Sequence, residues 1–493
     1  MAKICLCLGE ETLDANLRTL EKYRRYIDLA ELRVDKLLPD ERFLIRRFPA
    51  LAGMPVILTV RRKRDGGVFE GEESARLVLI ANAISYAEAD RRMNFAYIDI
   101  EEDIEVPSIE EAARAFGTRI IRSIHAESTP EDPSAIIAKA KSLLHFGDEI
   151  IKLAAPAHNL NDVAAMFNAA SELRGIDKLL ISMGSAGMCT RILACKFGSL
   201  WTFASAKDAP VSPGQLDPET LCKLYRFRDI NINTDVYGIL GFPLKVTASP
   251  PFFNPIFSRE KMNAVYLPFP SEDAAAFFRL ADALNIKGVS VTVPHKQSVM
   301  PYLAGMSANV KNLGACNTMI RTEAGWDGHN TDILGFSDSI LNFMKRKSFR
   351  GIKATVIGAG GAARAVVYQI WRGGGKAFVV NRSRSRAEEL ADRYGFMAGG
   401  LDENSTRTIK KFSRLIINTT SVGMGIGCKD DPLFMYKFQG TEVVMDLIYV
   451  PEQTALLARA AAAGCPVLNG YDMLIRQAKY QYKYFFGAEY PQP

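Results

Sequence analysis

The sequence predicts an α/β protein in two parts: an N-terminal (β/α)8 barrel, then a two-lobed α/β half with a Rossmann-type lobe. Three observations predict it. Over residues 3–206, eight short apolar runs alternate with segments of helical apolar spacing, the count of a closed barrel. Residues 226–235, RFRDININTD, are polar and break that pattern, and a fresh strand opens at Val236. Residues 353–386 then read strand, glycine-rich turn, helix and strand, the context that a dinucleotide fingerprint requires. At 493 residues the chain is too long for one ordinary domain.

In the first half the expected strands are 3–9, 27–35, 55–61, 95–101, 119–126, 149–155, 178–184 and 200–206. Leu13, Leu17 and Leu20 share one helical face; further helices are expected at 74–89, 109–116, 134–144, 162–173, 188–197 and 218–225. In such a barrel the chemistry sits at the C-terminal ends of the strands. Polar residues gather there. Glu31, Arg33 and Asp35 alternate onto one face of the second strand; Arg61 ends the third, His125 the fifth, and Arg191 follows the seventh. Lys152 lies within EIIKLAA, an apolar run with no free water face. Burial there lowers a lysine's proton affinity and frees an amine for imine chemistry, with His125 on the neighbouring strand as a proton shuttle.

Composition narrows the class. Hydrophobic content of 48% and charged content of 24% are those of a globular protein. A net charge of +6 with no run of five like charges argues against a nucleic-acid or membrane-surface partner. The eight cysteines show no CxxC pairing, so free thiols in a reducing compartment are expected, and no metal. No 18-residue apolar stretch and no leader pattern occur, so a cytoplasmic protein is expected.

ELRVD (31–35), TVRRKRDGG (59–67), SIHAESTP (123–130), EIIKLA (149–154), SMGSAGMCTR (182–191) and SPGQ (212–215) occur in this order. With these motifs residues 1–228 resemble the type I 3-dehydroquinate dehydratases. The resemblance implies Lys152 as the imine-forming lysine, His125 as general acid and base, and Glu31, Arg33, Arg61, Arg191 and Gln215 around the substrate. One departure stands out: the family commonly reads Ser-Ala-Pro-Gly-Gln where this chain has Val211-Ser212-Pro213-Gly214-Gln215.

In the second half Gly358 allows a tight turn, Gly360 lets backbone approach a pyrophosphate, and Ala363 permits close helix–strand packing. The next strand ends in Asn381-Arg382-Ser383-Arg384-Ser385-Arg386, offering guanidinium groups where an NAD site would place an acid. An NADP(H) site is expected. GVSVTVPHK (288–296), ACNT (315–318), DGHNTDILGF (327–336), INTTSVGM (417–424), DLIYVPEQTALL (446–457) and NGYDMLIRQA (469–478) complete a second set of motifs. With these the half resembles shikimate dehydrogenase. The resemblance implies Lys296 and Asp332 as the catalytic pair. It implies substrate contacts from Thr247, Ser249, Thr292, Asn317, Tyr449 and Gln477, beside Asn330. The cofactor contacts it implies are Gly358, Ala359, Gly360, Gly361, Ala362, Asn381, Arg382, Ser383, Arg386, Leu447 and Gly470. It also implies a substrate lobe at 234–335, a nucleotide lobe at 336–470 and a C-terminal helical segment at 471–493.

The product of the first reaction is the substrate of the second. The expectation is a bifunctional enzyme that dehydrates 3-dehydroquinate and reduces 3-dehydroshikimate to shikimate with NADPH. Two alternatives stay open. The family's substrate loop has His-Ser-x-Ser where this chain has Val246, Thr247, Ala248 and Ser249, which leaves quinate as an alternative substrate. A ligand-sensing regulator that lost catalysis is the other.

Overall fold

The computed structural model describes residues 2–85, 90–244 and 247–491. Its chain divides into two compact units, Met1–Ile286 and Lys287–Pro493.

The first unit opens with β1 (Lys3–Leu8), β2 (Leu29–Arg33), β3 (Val56–Thr59), β4 (Tyr97–Glu101), β5 (Arg119–His125), β6 (Ile150–Pro156), β7 (Lys178–Met183) and β8 (Trp201–Ala204). Neighbours in sequence pair in parallel from β1 to β7, and β8 returns to β1. A bridge between Lys178 and Ser199 brings the two ends of the sheet together. The expected barrel is present; seven strands are shorter than expected, and β6 is shifted by one residue to Ile150–Pro156. Residues 86–89, the end of one expected helix, lie outside the described residues; the helix itself is Glu73–Ile84. The expected helix at 188–197 stops at Ile192, because the chain leaves helical geometry at Leu193 and turns through to Gly198. Leu193, Ala194 and Phe197 are buried in that turn, so their apolar spacing imitates a helix.

Period two along the strands builds the barrel interior. Leu29, Ile57, Ile121 and Ile150 pack with Trp201 and Phe203 in the core, with Tyr97 against them. Two residues further along the same strands stand Glu31, Thr59, Ser123, Lys152 and Asp99, all buried. A dry apolar layer thus carries a polar one at the C-terminal end.

Beyond the barrel, β9 (Asp235–Gly241) and β10 (Ala264–Pro270) pair in parallel. The helix Ala274–Ala283 packs on the barrel helix Leu160–Glu172, where Arg279 Nε donates to Asn161 Oδ1 at 2.5 Å.

The second unit holds β11 (Gly288–Val291), β12 (Leu303–Met306), β13 (Thr318–Thr322) and β14 (Gly325–His329). β13 runs antiparallel to both β11 and β14, and β12 parallel to β14. Then come β15 (Lys353–Ile357), β16 (Lys376–Asn381), β17 (Met397–Gly400), β18 (Leu415–Asn418), β19 (Val443–Asp446) and β20 (Val467–Leu468). These six are all parallel in the order β17-β16-β15-β18-β19-β20, the doubly wound arrangement, whose ligand crevice opens where the order reverses, at β15 and β18. The last helix, Tyr471–Phe486, lies on Asp332–Phe343; a Cβ on Gly335 would stand 2.7 Å from Gln477 Cβ. Among the described residues no helix is long and apolar enough to cross a membrane.

Candidate active sites

A cavity of about 570 Å³ opens at the C-terminal end of the barrel, lined among others by Glu31, Arg33, Arg61, His125, Lys152, Arg191 and Gln215. These seven residues named from the sequence therefore meet in one place; Asp35, named with them, pairs with Arg33 and does not line the cavity. Lys152 is 5% exposed and is not alone among apolar neighbours, as its strand suggested. Its Nζ donates to Asp99 Oδ2 at 2.7 Å, lies 3.5 Å from Glu31 Oε1, and stands 4.6 Å from the centre of the Phe203 ring. Arg61 completes the charge balance, pairing with Asp99 and with Glu101, each at 2.8 Å. Ser123 Oγ donates to the other oxygen of Asp99 at 2.5 Å and accepts from Arg61 at 3.0 Å.

Burial and the cations Arg61 and Lys152 hold the His125 imidazole well below its ordinary proton affinity. Its Nδ1 is buried and has no hydrogen-bond partner among the described residues. A neutral imidazole on a cavity wall is free to take a proton. Arg191, buried and held by the carbonyls of Phe203 and Pro213, is pushed down to about 10 by desolvation. Arg33 is bound in two-fold fashion by Asp35, at 2.9 and 2.7 Å. Ser212 also lines the cavity, and its N–H donates to Gln215 Oε1 at 2.9 Å.

Asp99, Glu101 and Cys7 were missed from the sequence. The signal was available: YIDIE at 97–101 alternates as ELRVD does, and KICLCL puts Cys7 in register with Glu31.

In the second unit Lys296 Nζ donates to Asp332 Oδ2 at 2.5 Å. Asn317 Nδ2 donates to Asp332 Oδ1 at 2.9 Å and to Thr331 Oγ1 at 3.0 Å, and lies 3.5 Å from Gln477 Oε1. Lys296, Asp332, Asn317 and Gln477 are thus joined in one polar network. Gln481, one turn beyond Gln477, extends it to Ser290 and Thr318. Asn330 is turned aside to the Ala315 carbonyl at 2.9 Å, and the Thr292 carbonyl accepts from His295 N at 2.8 Å. Tyr449 stands half-buried after β19, its hydroxyl pushed above its ordinary range by burial. Thr247 and Ser249 belong to the first unit, where Ser249 N donates to Thr247 Oγ1 at 3.3 Å; Val246 lies outside the described residues.

The glycine-rich turn fits a dinucleotide. Gly358 has φ +111°, and a Cβ there would meet Thr419 Oγ1 at 2.5 Å. Nothing lies within 4 Å of where a Cβ on Gly360 would stand, so the start of the helix Gly361–Arg372 is an open cradle of backbone N–H groups. Ala359, Gly360, Gly361, Arg364, Arg386 and Arg393 line a cavity of about 310 Å³ beside it. Ala362 follows in the first turn of the helix. Asn381 Nδ2 donates to the Ser383 carbonyl at 3.0 Å, and Arg382 and Arg386 are exposed. Leu447 and Gly470 touch: a Cβ on Gly470 would fall 2.0 Å from the Leu447 carbonyl oxygen. The stem of Lys296 lies 3.5 Å from a Cβ built on Gly361, which brings the Lys296–Asp332 pair to the cofactor turn.

A barrel with a buried lysine at its mouth, joined to a doubly wound lobe with an arginine-flanked phosphate cradle, defines a class: a carbonyl-directed lyase and a dinucleotide-dependent oxidoreductase in one polypeptide. Residues 4–232 match the family of type I 3-dehydroquinases, 239–319 the shikimate dehydrogenase substrate binding domain, and 341–436 the shikimate/quinate 5-dehydrogenases. The chain is 30% identical over 514 residues to the chloroplastic bifunctional 3-dehydroquinate dehydratase/shikimate dehydrogenase of Arabidopsis thaliana, covering 99% of this chain and 83% of that one. The shikimate dehydrogenase (NADP(+)) of Aquifex aeolicus is 36% identical over 265 residues, 53% of this chain and 95% of its own. A crystal structure of shikimate dehydrogenase from Aquifex aeolicus aligns at 34% identity and TM-score 0.49, over 53% of this chain and 96% of that one. The chain belongs to the family of bifunctional 3-dehydroquinate dehydratase/shikimate dehydrogenases.

Proposed function

We propose that the barrel dehydrates 3-dehydroquinate through an imine on Lys152, and that the remainder of the chain reduces the resulting 3-dehydroshikimate to shikimate with NADPH. The observation that carries the reading is the strand-borne amine of Lys152 at a cavity wall, 2.7 Å from Asp99, with neutral His125 beside it. The amine adds to the substrate ketone and water leaves, giving the imine. Its positive nitrogen acidifies the adjacent C–H; His125 takes that proton, and the hydroxyl on the next carbon departs as water. Hydrolysis of the imine frees the product and the lysine. Arg61, Arg191, Arg33, Glu31 and Gln215 orient the polyol carboxylate.

NADPH, when bound, supplies hydride to the ketone carbon. Lys296 stabilises the charge that develops on the carbonyl oxygen and delivers a proton to it, while Asp332 holds the amine in place. Asn317 and Gln477, with Thr292 and Tyr449, take the substrate hydroxyls and carboxylate. Arg382, Ser383, Arg386 and Asn381 would hold the 2′-phosphate of the cofactor. Asn317 already spans Asp332, Thr331 and Gln477, which supports a pocket built for hydroxyl groups. Free thiols at all eight cysteines support a reducing, cytoplasmic setting.

The test supplies purified protein with 3-dehydroquinate and NADPH. Shikimate should form. Borohydride added with 3-dehydroquinate should fix the ligand's mass to the peptide holding Lys152, and Lys152→Ala should lose dehydration while still reducing added 3-dehydroshikimate. Dehydration with an unmodified Lys152 peptide would sink the imine mechanism, and faster turnover of quinate than of shikimate would reassign the second half.

A further inference from the structure

We propose that Cys7 is a positioning residue of the barrel site, coupling the loop 211–215 to Glu31 and so to Lys152; this rests on the reading of the barrel as an imine-forming dehydratase. Cys7 is near the end of β1, and its thiol faces the cavity. Its Sγ donates to Glu31 Oε2 at 3.1 Å and accepts from Gln215 Nε2 at 3.3 Å. The orientation of Gln215 is set by its other end, where Oε1 accepts from the N–H groups of Val211 at 3.1 Å and Ser212 at 2.9 Å. That leaves the Gln215 amide N–H groups for the sulfur.

The loop is pinned on its far side as well. The Pro213 carbonyl accepts from Gly184 N and from Arg191, each at 3.3 Å, and a Cβ on Gly214 would stand 2.5 Å from the Gly184 oxygen. At the other end of this chain of hydrogen bonds, the second oxygen of Glu31 accepts from Thr59 Oγ1 at 3.0 Å and lies 3.5 Å from Lys152 Nζ. An unbroken path therefore runs from loop to Gln215, Cys7, Glu31 and Lys152. Burial and the Glu31 charge keep the thiol protonated, so it serves as a donor. A donor on one oxygen of Glu31 holds the carboxylate with its other oxygen toward the amine. A hydroxyl could replace the thiol in both bonds; a methyl group could replace it in neither.

The experiment compares Cys7→Ala, Cys7→Ser, Gln215→Ala and the Cys7→Ala/Gln215→Ala pair in the full chain. It measures kcat and KM for dehydration and the rate of borohydride trapping at Lys152. Cys7→Ala should lower kcat and trapping by about tenfold, the scale of removing a bond to a charged group, with KM moved far less. Cys7→Ser should recover most of that loss. The pair should be no slower than the slower single variant, because both break the same path. Wild-type kcat in Cys7→Ala, an additive pair, or a Cys7→Ser enzyme no better than Cys7→Ala would overturn the coupling. Should Cys7→Ala not fold, Cys7→Val, which likewise has neither donor nor acceptor, takes its place and is read against Cys7→Ser by the same criteria. A wild type that forms no imine overturns the barrel reading itself.

Discussion

His125 illustrates how position sets the role of a residue. Neither the residue type nor its place on a strand distinguishes an acid from a base. Desolvation, reinforced by the cations Arg61 and Lys152, decides in favour of the neutral form. The dehydration kcat should therefore hold as pH falls through the ordinary imidazole value of about 6.5 and decline only below it. His125→Asn should lower kcat by roughly 10²–10⁴. The same shift affects folding. Below about 6.5 the unfolded chain binds a proton at His125 that the folded chain refuses, so this contribution to stability is complete above that pH and is lost as pH falls toward the folded value. A wild-type acid limb at or above about 6.5 would contradict the neutral-base role, and melting temperature against pH for the two proteins checks the folding side. Lys152, His125 and the arginines were legible because charged side chains in apolar strands need a reason. Asp99 and Cys7 were not singled out: alternation in YIDIE and KICLCL gives the face each takes, but only the neighbours across the barrel show what each meets there.

At the scale of elements, the strand–turn–helix from Lys353 to Arg372 repeats what its sequence announces, with Gly358 in a conformation closed to other residues. The exposed arginines after β16 are the residues proposed to carry the cofactor preference. Arg382→Ala with Arg386→Ala should raise KM for NADPH by about tenfold or more, as charge-assisted hydrogen bonds to phosphate disappear, and should hardly change use of NADH. Steady-state kinetics with both cofactors test it; a wild type that uses them equally well rules the assignment out. The helix Tyr471–Phe486 shows the limit of reading elements singly. Gln477 and Gln481 share one of its faces by simple helical spacing, yet only the packing against Asp332–Phe343 reveals that this face looks into the polar network.

For the whole molecule, the sequence break at 226–235 and the compact units divide the chain differently: the segment 235–286 clusters with the barrel. The helix Ala274–Ala283 lies on Leu160–Glu172 there, while all eight barrel strands and their closure are complete by Ala204. A fragment of residues 1–230 should fold and dehydrate 3-dehydroquinate, melting lower than the barrel does in the intact chain by about 2–4 °C for each kcal/mol of stabilisation that the removed helix supplied. A fragment of residues 231–493 should reduce 3-dehydroshikimate, and the two mixed should give shikimate after a lag. Calorimetry and turnover of the fragments provide the measurement. An insoluble or inactive first fragment would mean that the barrel needs the following helix.

The sequence by itself determined the two folds and the character of the cofactor, and it singled out Lys152, His125, Lys296 and Asp332 as the candidates for catalysis. The folds, the barrel pair and the cofactor turn rest on local order: period two in strands, the glycine-rich turn, and charges placed where strands end; Lys296 and Asp332 rest on the resemblance of their motifs to shikimate dehydrogenase. Only the tertiary structure decided which partners those residues meet. The carboxylates of Asp99 and Glu31 around Lys152, and the span of Asn317 between Asp332 and Gln477, bring together side chains from different strands and helices. Periodicity tells which face of an element a side chain takes, whereas the barrel closure and the packing of the final helix determine what stands opposite it.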